Sequence, residues 1–497
     1  MRRARSSALA TFYRERNYEP IWTGSSAEDR ARRIALLEAV SGAERHGLPA
    51  AQYAPEAIKA EMRAARGTDA MGRLEVYLSS VFLSYARDIQ TGILTPATVD
   101  AEIVRKVPLR DGAETLHAFT AATPATFMKA LPPSSPEYTR LMKHKIAYEA
   151  LLDRGGWGAP VPSQSLKPGQ SGASVVALRN RLMAKGFLER SNTQTYDAAI
   201  EAAVKAFQEA HGLVADGVAG AGTMREINRG VEERLQQVLV AMERERWINK
   251  PEGLGERHIW VNLTDFSAQI RDRGQVTFKT RSVIGAAKSD RRSPEFSDVM
   301  EHMVINPSWY VPRSIATKEY LPQLRANPYA VGHLELTDAR GRVVNRGAVD
   351  FTQFSTRSFP FNMRQPPGRR NALGLVKFMF PNKYNIYLHD TPAKNLFSRD
   401  VRAFSHGCIR LNDPFDFAYA LLAKQEVDPE GFFQSKLRSG AETKVLLEAP
   451  VPVHLVYRTA VTTPEGKIEY RRDVYGRDAK IWSALQSQGV ALRAVRG

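Results

Sequence analysis

Ser405-His406-Gly407-Cys408-Ile409-Arg410-Leu411-Asn412 holds the single cysteine of a 497-residue chain. Upstream, Tyr384-Asn385-Ile386-Tyr387-Leu388-His389 has the aromatic and β-branched content of a strand that ends at a histidine. Alternation along it predicts Asn385, Tyr387 and His389 on one face, with Ile386 and Leu388 on the other. The separation of His389 from Cys408 is far too long for one helical turn. It suits two neighbouring strands joined by a loop from Asp390 to Phe404 that contains Pro392.

A free thiol has a pKa of roughly 8.5, and only the thiolate is a good nucleophile, so a nearby base is needed at neutral pH. His389 reaches Cys408 from another strand and is the better candidate, because His406 is two residues away on the same chain. The N–H groups of Gly407 and Cys408 are candidate oxyanion donors, and Gly407 permits close approach of a carbonyl. Such a set suits acyl transfer through a thioester. Two other readings stand beside it. A lone cysteine is commonly a small buried hydrophobe, and His389, Asp390, His406 and Cys408 are all zinc-ligand types, although no CxxC or HExxH spacing supports a metal site.

His389 followed by SHGC and Ile409-Arg410-Leu411 resembles the signature of the YkuD-type L,D-transpeptidases, which remodel peptidoglycan. The flanking Pro366-Pro367-Gly368, Asn371-Ala372-Leu373-Gly374, Lys377-Phe378, Phe380-Pro381-Asn382 and Tyr387-Leu388-His389-Asp390-Thr391-Pro392 are similar to the larger, YcbB-like branch. So is Asn306-Pro307-Ser308-Trp309-Tyr310-Val311-Pro312. The resemblance implies Cys408 as nucleophile and His389 as general base, oriented by a backbone carbonyl such as that of Asp390. It implies Gly407, Cys408 and His406 amides as oxyanion donors, and no cofactor and no metal. Ser405, Arg410 and Asn412 are expected to hold the loop or the donor's carboxylate, Arg410 best of the three because a guanidinium binds carboxylate bidentately. Tyr310, Trp309 and Tyr387 are expected to line the acceptor side.

The substrate implied is a peptidoglycan stem cleaved before its terminal D-alanine, with a 3→3 cross-link formed to the amine of another stem. Water as acceptor makes the same chemistry a carboxypeptidase, and a lipoprotein lysine makes it an anchoring enzyme. Carbapenems are implied as acylating mimics of the donor. Stem peptides, glycan strands and other cell-wall enzymes are the partners implied, in the periplasm, with a signal or membrane anchor preceding Met1. A rival of another class is a non-catalytic peptidoglycan-binding scaffold, against which the paired His389 and Cys408 argue.

Composition sets bounds on these readings. With 43% hydrophobic and 25% charged residues the chain is an ordinary globular protein of several domains. A net charge of +17 suits a polyanionic partner. Nucleic acid is disfavoured, because there is no zinc finger, no aromatic RNA-binding motif and no dense Lys/Arg block. An anionic wall polymer or lipid surface suits the charge equally well. No run approaches the roughly 18 to 20 apolar residues of a membrane span, and the opening MRRARSSALATFYRERNYEP lacks a secretory apolar core. One cysteine allows no intramolecular disulfide.

The fold expected is multidomain α+β. Residues 1–155 read as a helical scaffold, with apolar positions Leu74, Tyr77, Leu78, Val81, Phe82 and Tyr85 at helical spacing. After the Gly/Pro/Ser-rich stretch 155–170, residues 163–229 read as a three-helix module. LKPGQSG, VVALRNRL, AVKAFQEAHGL and DGVAG there resemble the peptidoglycan-binding domain type 1. Residues 230–256 read as an amphipathic linker helix, with Leu235, Val238, Leu239 and Met242 on one face. Residues 257–427 read as a β-rich catalytic domain, interrupted at about 313–375 by an insertion that reads as a lid over the groove or as a surface elaboration, the resemblance to the YcbB-like capping subdomain favouring the lid. Residues 428–497 are expected to end in a hairpin that rejoins the catalytic sheet.

Overall fold

The computed structural model describes residues 2–162, 165–288 and 290–492. The chain divides into two compact units, one reaching to Leu254 and resuming at Tyr457, the other Gly255–Val456.

The first unit is helical. Its scaffold part is built on the long helix Gly67–Thr91, whose buried Leu74, Leu78, Phe82 and Tyr85 follow the apolar periodicity of the sequence. Phe82 stacks on Phe119 at 4.5 Å between centroids, and Trp22 stacks on the same ring at 5.4 Å. The next part packs helices Ala173–Ala184, Ala198–Ala210 and Ala221–Ile227 around Leu178, Val204 and Phe207. Asp197 caps the second of these by accepting from Ile200 N at 3.0 Å.

The helix Val231–Trp247 departs from the amphipathic linker expected at 230–256, because beyond the exposed Glu232 and Glu233 of its first turn its charged residues are buried along with its apolar ones. Arg246 pairs with Glu243 at 3.0 Å, Arg244 with Asp478 at 3.2 Å, Glu245 with Arg458 at 2.7 Å and Arg234 with Glu226 at 2.8 Å. Each charge is thus taken out of water only where an opposite charge meets it. Two of the partners, Arg458 and Asp478, come from the far end of the chain, which makes this helix the axis of its unit. Sequence periodicity cannot distinguish a charged face in water from one covered by complementary charges.

The second unit holds β1 (Arg257–Asn262), β2 (Ser267–Asp272), β3 (Gln275–Gly285), β4 (Phe296–Ile305), β5 (Trp309–Tyr310), β6 (Glu335–Thr337), β7 (Asn362–Gln365), β8 (Val376–Met379), β9 (Leu388–His389), β10 (Ala403–Ser405), β11 (Ile409–Leu411) and β12 (Thr443–Val456). Pairing runs β3-β11-β9-β8-β4-β12-β1-β2 and returns from β2 to β3, so the sheet closes on itself, with β10 added to β3. The β2–β3 hairpin turns at Arg273 and Gly274, both at positive φ (48° and 81°), the geometry that tight two-residue hairpins favour.

The capping insertion has its own three-stranded sheet, β5-β7-β6, and a helical stretch from Arg313 to Ala326 with a widened π turn at Ala316–Tyr320. His333 to Val344 is hairpin-like around Arg340-Gly341, with Asp338 N donating to Arg342 O at 3.0 Å and Val344 N to Leu336 O at 2.9 Å. The antiparallel bridge from Thr337 to Val343 lies between these bonds, and the other edge of β6 pairs with β7.

The C-terminal segment also differs from expectation. β12 enters the closed sheet between β4 and β1, but β13 (Ala460–Thr462) and β14 (Ile468–Tyr470) form a separate two-stranded sheet in the first unit. Ala460 and Tyr470 are buried there with Tyr138, Val238 and Met242. The closed sheet already gives β1 and β12 partners on both sides, which leaves the hairpin no edge to join.

Candidate active site

The strand expected from Tyr384 to His389 is shorter, because Asn382 captures the backbone before it. Its Oδ1 accepts from Tyr384 N at 3.0 Å and Ile386 N at 3.2 Å, and its Nδ2 donates to Phe380 O and Ile386 O at 2.6 and 2.7 Å. These bonds replace the ladder that a longer strand would need. Only Leu388 and His389 remain in β9, paired antiparallel to β8 and parallel to β11.

The parallel register sets His389 beside Arg410 and Leu388 beside Ile409, while Ile409 N donates to Tyr387 O at 3.1 Å. Alternation then turns Tyr387, His389, Cys408 and Arg410 to the same side, where all four line one cavity of about 690 Å³. Trp309, Tyr310, Asn385, Ser405 and His406 line it too.

His389 is buried, 4% exposed, with Nδ1 2.5 Å from the carbonyl oxygen of Asp390. A carbonyl only accepts, so Nδ1 carries the hydrogen and Nε2 keeps its lone pair. Burial and then the Arg410 charge bring its pKa down to about 3, so the imidazole is neutral at physiological pH. The Asp390 carboxylate faces elsewhere, accepting from Leu375 N at 2.9 Å and Lys394 Nζ at 2.7 Å.

Cys408 is half-buried, and its thiol donates to Asn385 O at 3.4 Å. Burial pushes its pKa up to about 11, against the pull of the Tyr387 backbone and hydroxyl and of the Arg410 charge. The hydroxyl hydrogen-bonded to the sulfur is that of Tyr387, whose own pKa burial and the thiol raise well above the usual tyrosine value. The resting pair is therefore thiol and neutral imidazole.

The turn before Cys408 is internally braced. Ser405 is 1% exposed, donates to Cys408 O at 2.6 Å and accepts from Gly407 N at 3.1 Å. Ser405 thus holds the loop rather than offering its hydroxyl to substrate, and the Gly407 N–H is already engaged. This leaves the Cys408 and His406 amides as the loop's candidate oxyanion donors. Gly407 sits at φ +114°, and a Cβ there would lie 3.0 Å from Ile386 Cδ1, so no larger residue fits without strain. Its carbonyl accepts from Ser293 Oγ at 2.6 Å.

Other residues singled out in the sequence separate into two groups. Trp309, buried, and Tyr310, 66% exposed, are on the cavity wall. Asn412 is not; its side chain donates to Asp413 Oδ1 at 2.7 Å and its backbone N–H to Arg281 O at 2.9 Å. The His406 ring turns to Glu319, with Nε2 2.7 Å from Oε1. With His389 turned to Asp390 O and His406 to Glu319, the zinc-type set of the sequence does not converge. Among the described residues no group of three or more His, Cys, Asp or Glu side chains could hold a metal ion.

Arg410 lines the cavity with its Nε buried and without a hydrogen-bond partner among the described residues. Sequence reasoning missed Asn385 as the thiol's acceptor, and also Glu319, Arg291, Lys318 and Asp290 on the cavity wall. They carry no motif and lie far from Cys408 in the chain.

Comparison with known proteins identifies the parts. Residues 256–428 match the L,D-transpeptidase catalytic domain family (YkuD), residues 7–144 a scaffold domain, and residues 171–227 the family described as "Putative peptidoglycan binding domain". Over residues 256–428 the chain is thus similar to the L,D-transpeptidase catalytic domains. It is 32% identical over 229 residues to a Haemophilus influenzae protein described as "Putative L,D-transpeptidase"; the match covers 45% of each chain, so this chain spans less than half the length of that curated relative. Two solved L,D-transpeptidases are also similar. One, from Xylanimonas cellulosilytica, is 15% identical, covering 60% of this chain and 100% of its own, at a TM-score of 0.18. The other, from Stackebrandtia nassauensis, is 13% identical, covering 60% and 97%, at a TM-score of 0.22. Among the described residues no helix is long and apolar enough to cross a membrane.

Proposed function

We propose that the protein is a peptidoglycan L,D-transpeptidase acting outside the cytoplasm, with Cys408 as nucleophile and His389 as general base. The observation that carries this reading is the four-residue wall of Tyr387, His389, Cys408 and Arg410 facing one cavity. The thiol attacks the carbonyl before the terminal D-alanine of a donor stem and passes its proton to His389 Nε2. D-Alanine leaves with that proton, and the thioester is resolved by the amine of a second stem. Because His389 is neutral and Cys408 protonated at rest, proton transfer accompanies attack instead of preceding it. The Cys408 N–H receives the developing oxyanion.

Arg410 supplies the substrate selectivity in this reading. A guanidinium with a buried, unpartnered Nε on the cavity wall is matched by a carboxylate, and a stem peptide carries one at its end. The match of residues 171–227 to a peptidoglycan-binding family supports wall attachment by that module. The product proposed is a 3→3 cross-link, and carbapenems are proposed to acylate the same thiol.

The test is incubation with a disaccharide-tetrapeptide, followed by mass spectrometry of products and enzyme. Release of D-alanine, a thioester adduct and a cross-linked dimer are expected, and Cys408→Ala should lose all three. D-Alanine release by Cys408→Ala would end the thioester reading. Hydrolysis without a dimer would make the protein a carboxypeptidase.

A further inference from the structure

We propose that Glu319 is the latch of a hinged cap, and through it a positioning residue for the turn that carries Cys408. The cap is held in two different ways. Its apolar core, with Trp309, Leu336, Phe359 and Met363, continues into Leu373, and Tyr387 packs against it, which is the side of β8 and β9. Among the described residues that core draws no member from 286–295 or 403–408, the segments on the other side of Cys408.

On that other side the links are polar and arise from one turn. Glu319 Oε1 lies 2.7 Å from His406 Nε2 and 2.7 Å from Arg291 Nη2, and Lys318 Nζ lies 3.2 Å from Asp290 Oδ2. All three partners and both cap residues line the cavity. The Glu319 and His406 side chains are 31% and 34% exposed. Half-exposed pairs of this kind shift an equilibrium by only about two- to five-fold each. Apolar packing on one edge and breakable charge pairs on the other describe a hinge and a latch.

The latch also bears on the nucleophile. The carbonyl oxygens of Arg291 and Arg292 lie against Gly407, 3.9 and 3.7 Å from the position of a Cβ there. Ser293 Oγ donates to Gly407 O at 2.6 Å. Glu319 therefore ties the Ser405–Cys408 turn, through His406, to the segment that packs against it, through Arg291. The widened π turn at Ala316–Tyr320 carries Glu319 and Lys318, and such turns recur at functional sites. A stem peptide enters past this edge, displacing the Glu319 pairs, and closure behind it restores the turn.

This inference rests on the proposed acyl transfer only for its effect on turnover, and its test separates the two. The full chain is alkylated at its single cysteine with iodoacetamide and with the bulkier fluorescein maleimide. Glu319→Ala should raise the rate with the bulky reagent by about five-fold while the small reagent changes less than about two-fold. Glu319→Gln, which keeps an acceptor oxygen, should fall between. Lys318→Ala, which removes only the exposed pair, should move the ratio the same way by about two-fold, and it serves as the reading if Glu319→Ala unfolds.

With the tetrapeptide substrate, Glu319→Ala should lower kcat more than it changes KM, because the open cap releases the turn after binding. An unchanged ratio of the two labelling rates, or an equal rise in both, overturns the latch. If the ratio shifts but wild-type protein transfers no acyl group, the latch stands and the proposed function falls.

Discussion

Replacing Tyr387 by Phe tests the electrostatics of the site most directly. With the Cys408 pKa near 11, the thiolate fraction at pH 7 is only about one in ten thousand. Alkylation by iodoacetamide should therefore climb about ten-fold per pH unit from pH 7 to 10. The Tyr387 hydroxyl is a donor to that sulfur and draws its pKa down. A hydrogen bond to a charged acceptor is worth about 1.5–3 kcal/mol, or roughly one to two pKa units at 1.36 kcal/mol each. Tyr387→Phe should then label about 10- to 100-fold more slowly at any fixed pH in this range, with the same slope. The assay is intact-mass spectrometry across pH 6 to 10, free of background because the chain has one cysteine. His389→Ala should leave this profile nearly unchanged, since His389, titrating at about 3, contributes no positive charge there, yet it should abolish acyl transfer. A wild-type plateau below pH 8 would mean a resting thiolate–imidazolium pair and would refute the reasoning. So would unaltered labelling in Tyr387→Phe.

Three further outcomes are expected. Ser405→Ala removes the bonds to Cys408 O and Gly407 N at a cost of about 2–3 kcal/mol; urea unfolding of the catalytic unit should shift accordingly, and a KM effect without a stability loss would restore Ser405 to substrate binding. The neutral burial of His389 stabilises the fold above its unfolded pKa of about 6.5, and this is lost as pH falls towards about 3, because the unfolded ring takes up a proton first. The stability gap between wild type and His389→Asn should therefore narrow by about 1.4 kcal/mol per pH unit below 6.5, and parallel melting curves from pH 7 to 4 would contradict it. Glu243→Ala leaves Arg246 buried without its 3.0 Å partner and should destabilise the first unit by about 3–5 kcal/mol; Glu243→Ala with Arg246→Met should recover part of that in chemical denaturation.

The residues of the site were legible from the sequence to the extent that their chemistry is local. A lone cysteine beside glycine, a histidine closing an aromatic and β-branched run, and an arginine two places after the thiol identify themselves by type and spacing. So do the helices of the first unit, because core-facing positions recur with the helical period whatever covers them.

What depends on partners distant in the chain was decided only in the folded structure. Parallel pairing of β9 with β11 set Arg410 beside His389 and gave the sulfur a tyrosine hydroxyl as hydrogen-bond partner, and register is a property of two strands, not of either sequence. Closure of the sheet left the C-terminal hairpin without an edge and sent it to the first unit. The charged face of Val231–Trp247 looked solvated because its counter-charges at Glu226, Arg458 and Asp478 lie in other segments. Glu319 has no motif at all; it became part of the site because the cap brought its carboxylate within hydrogen-bond reach of His406 and Arg291, and only three-dimensional proximity sets such electrostatic partners.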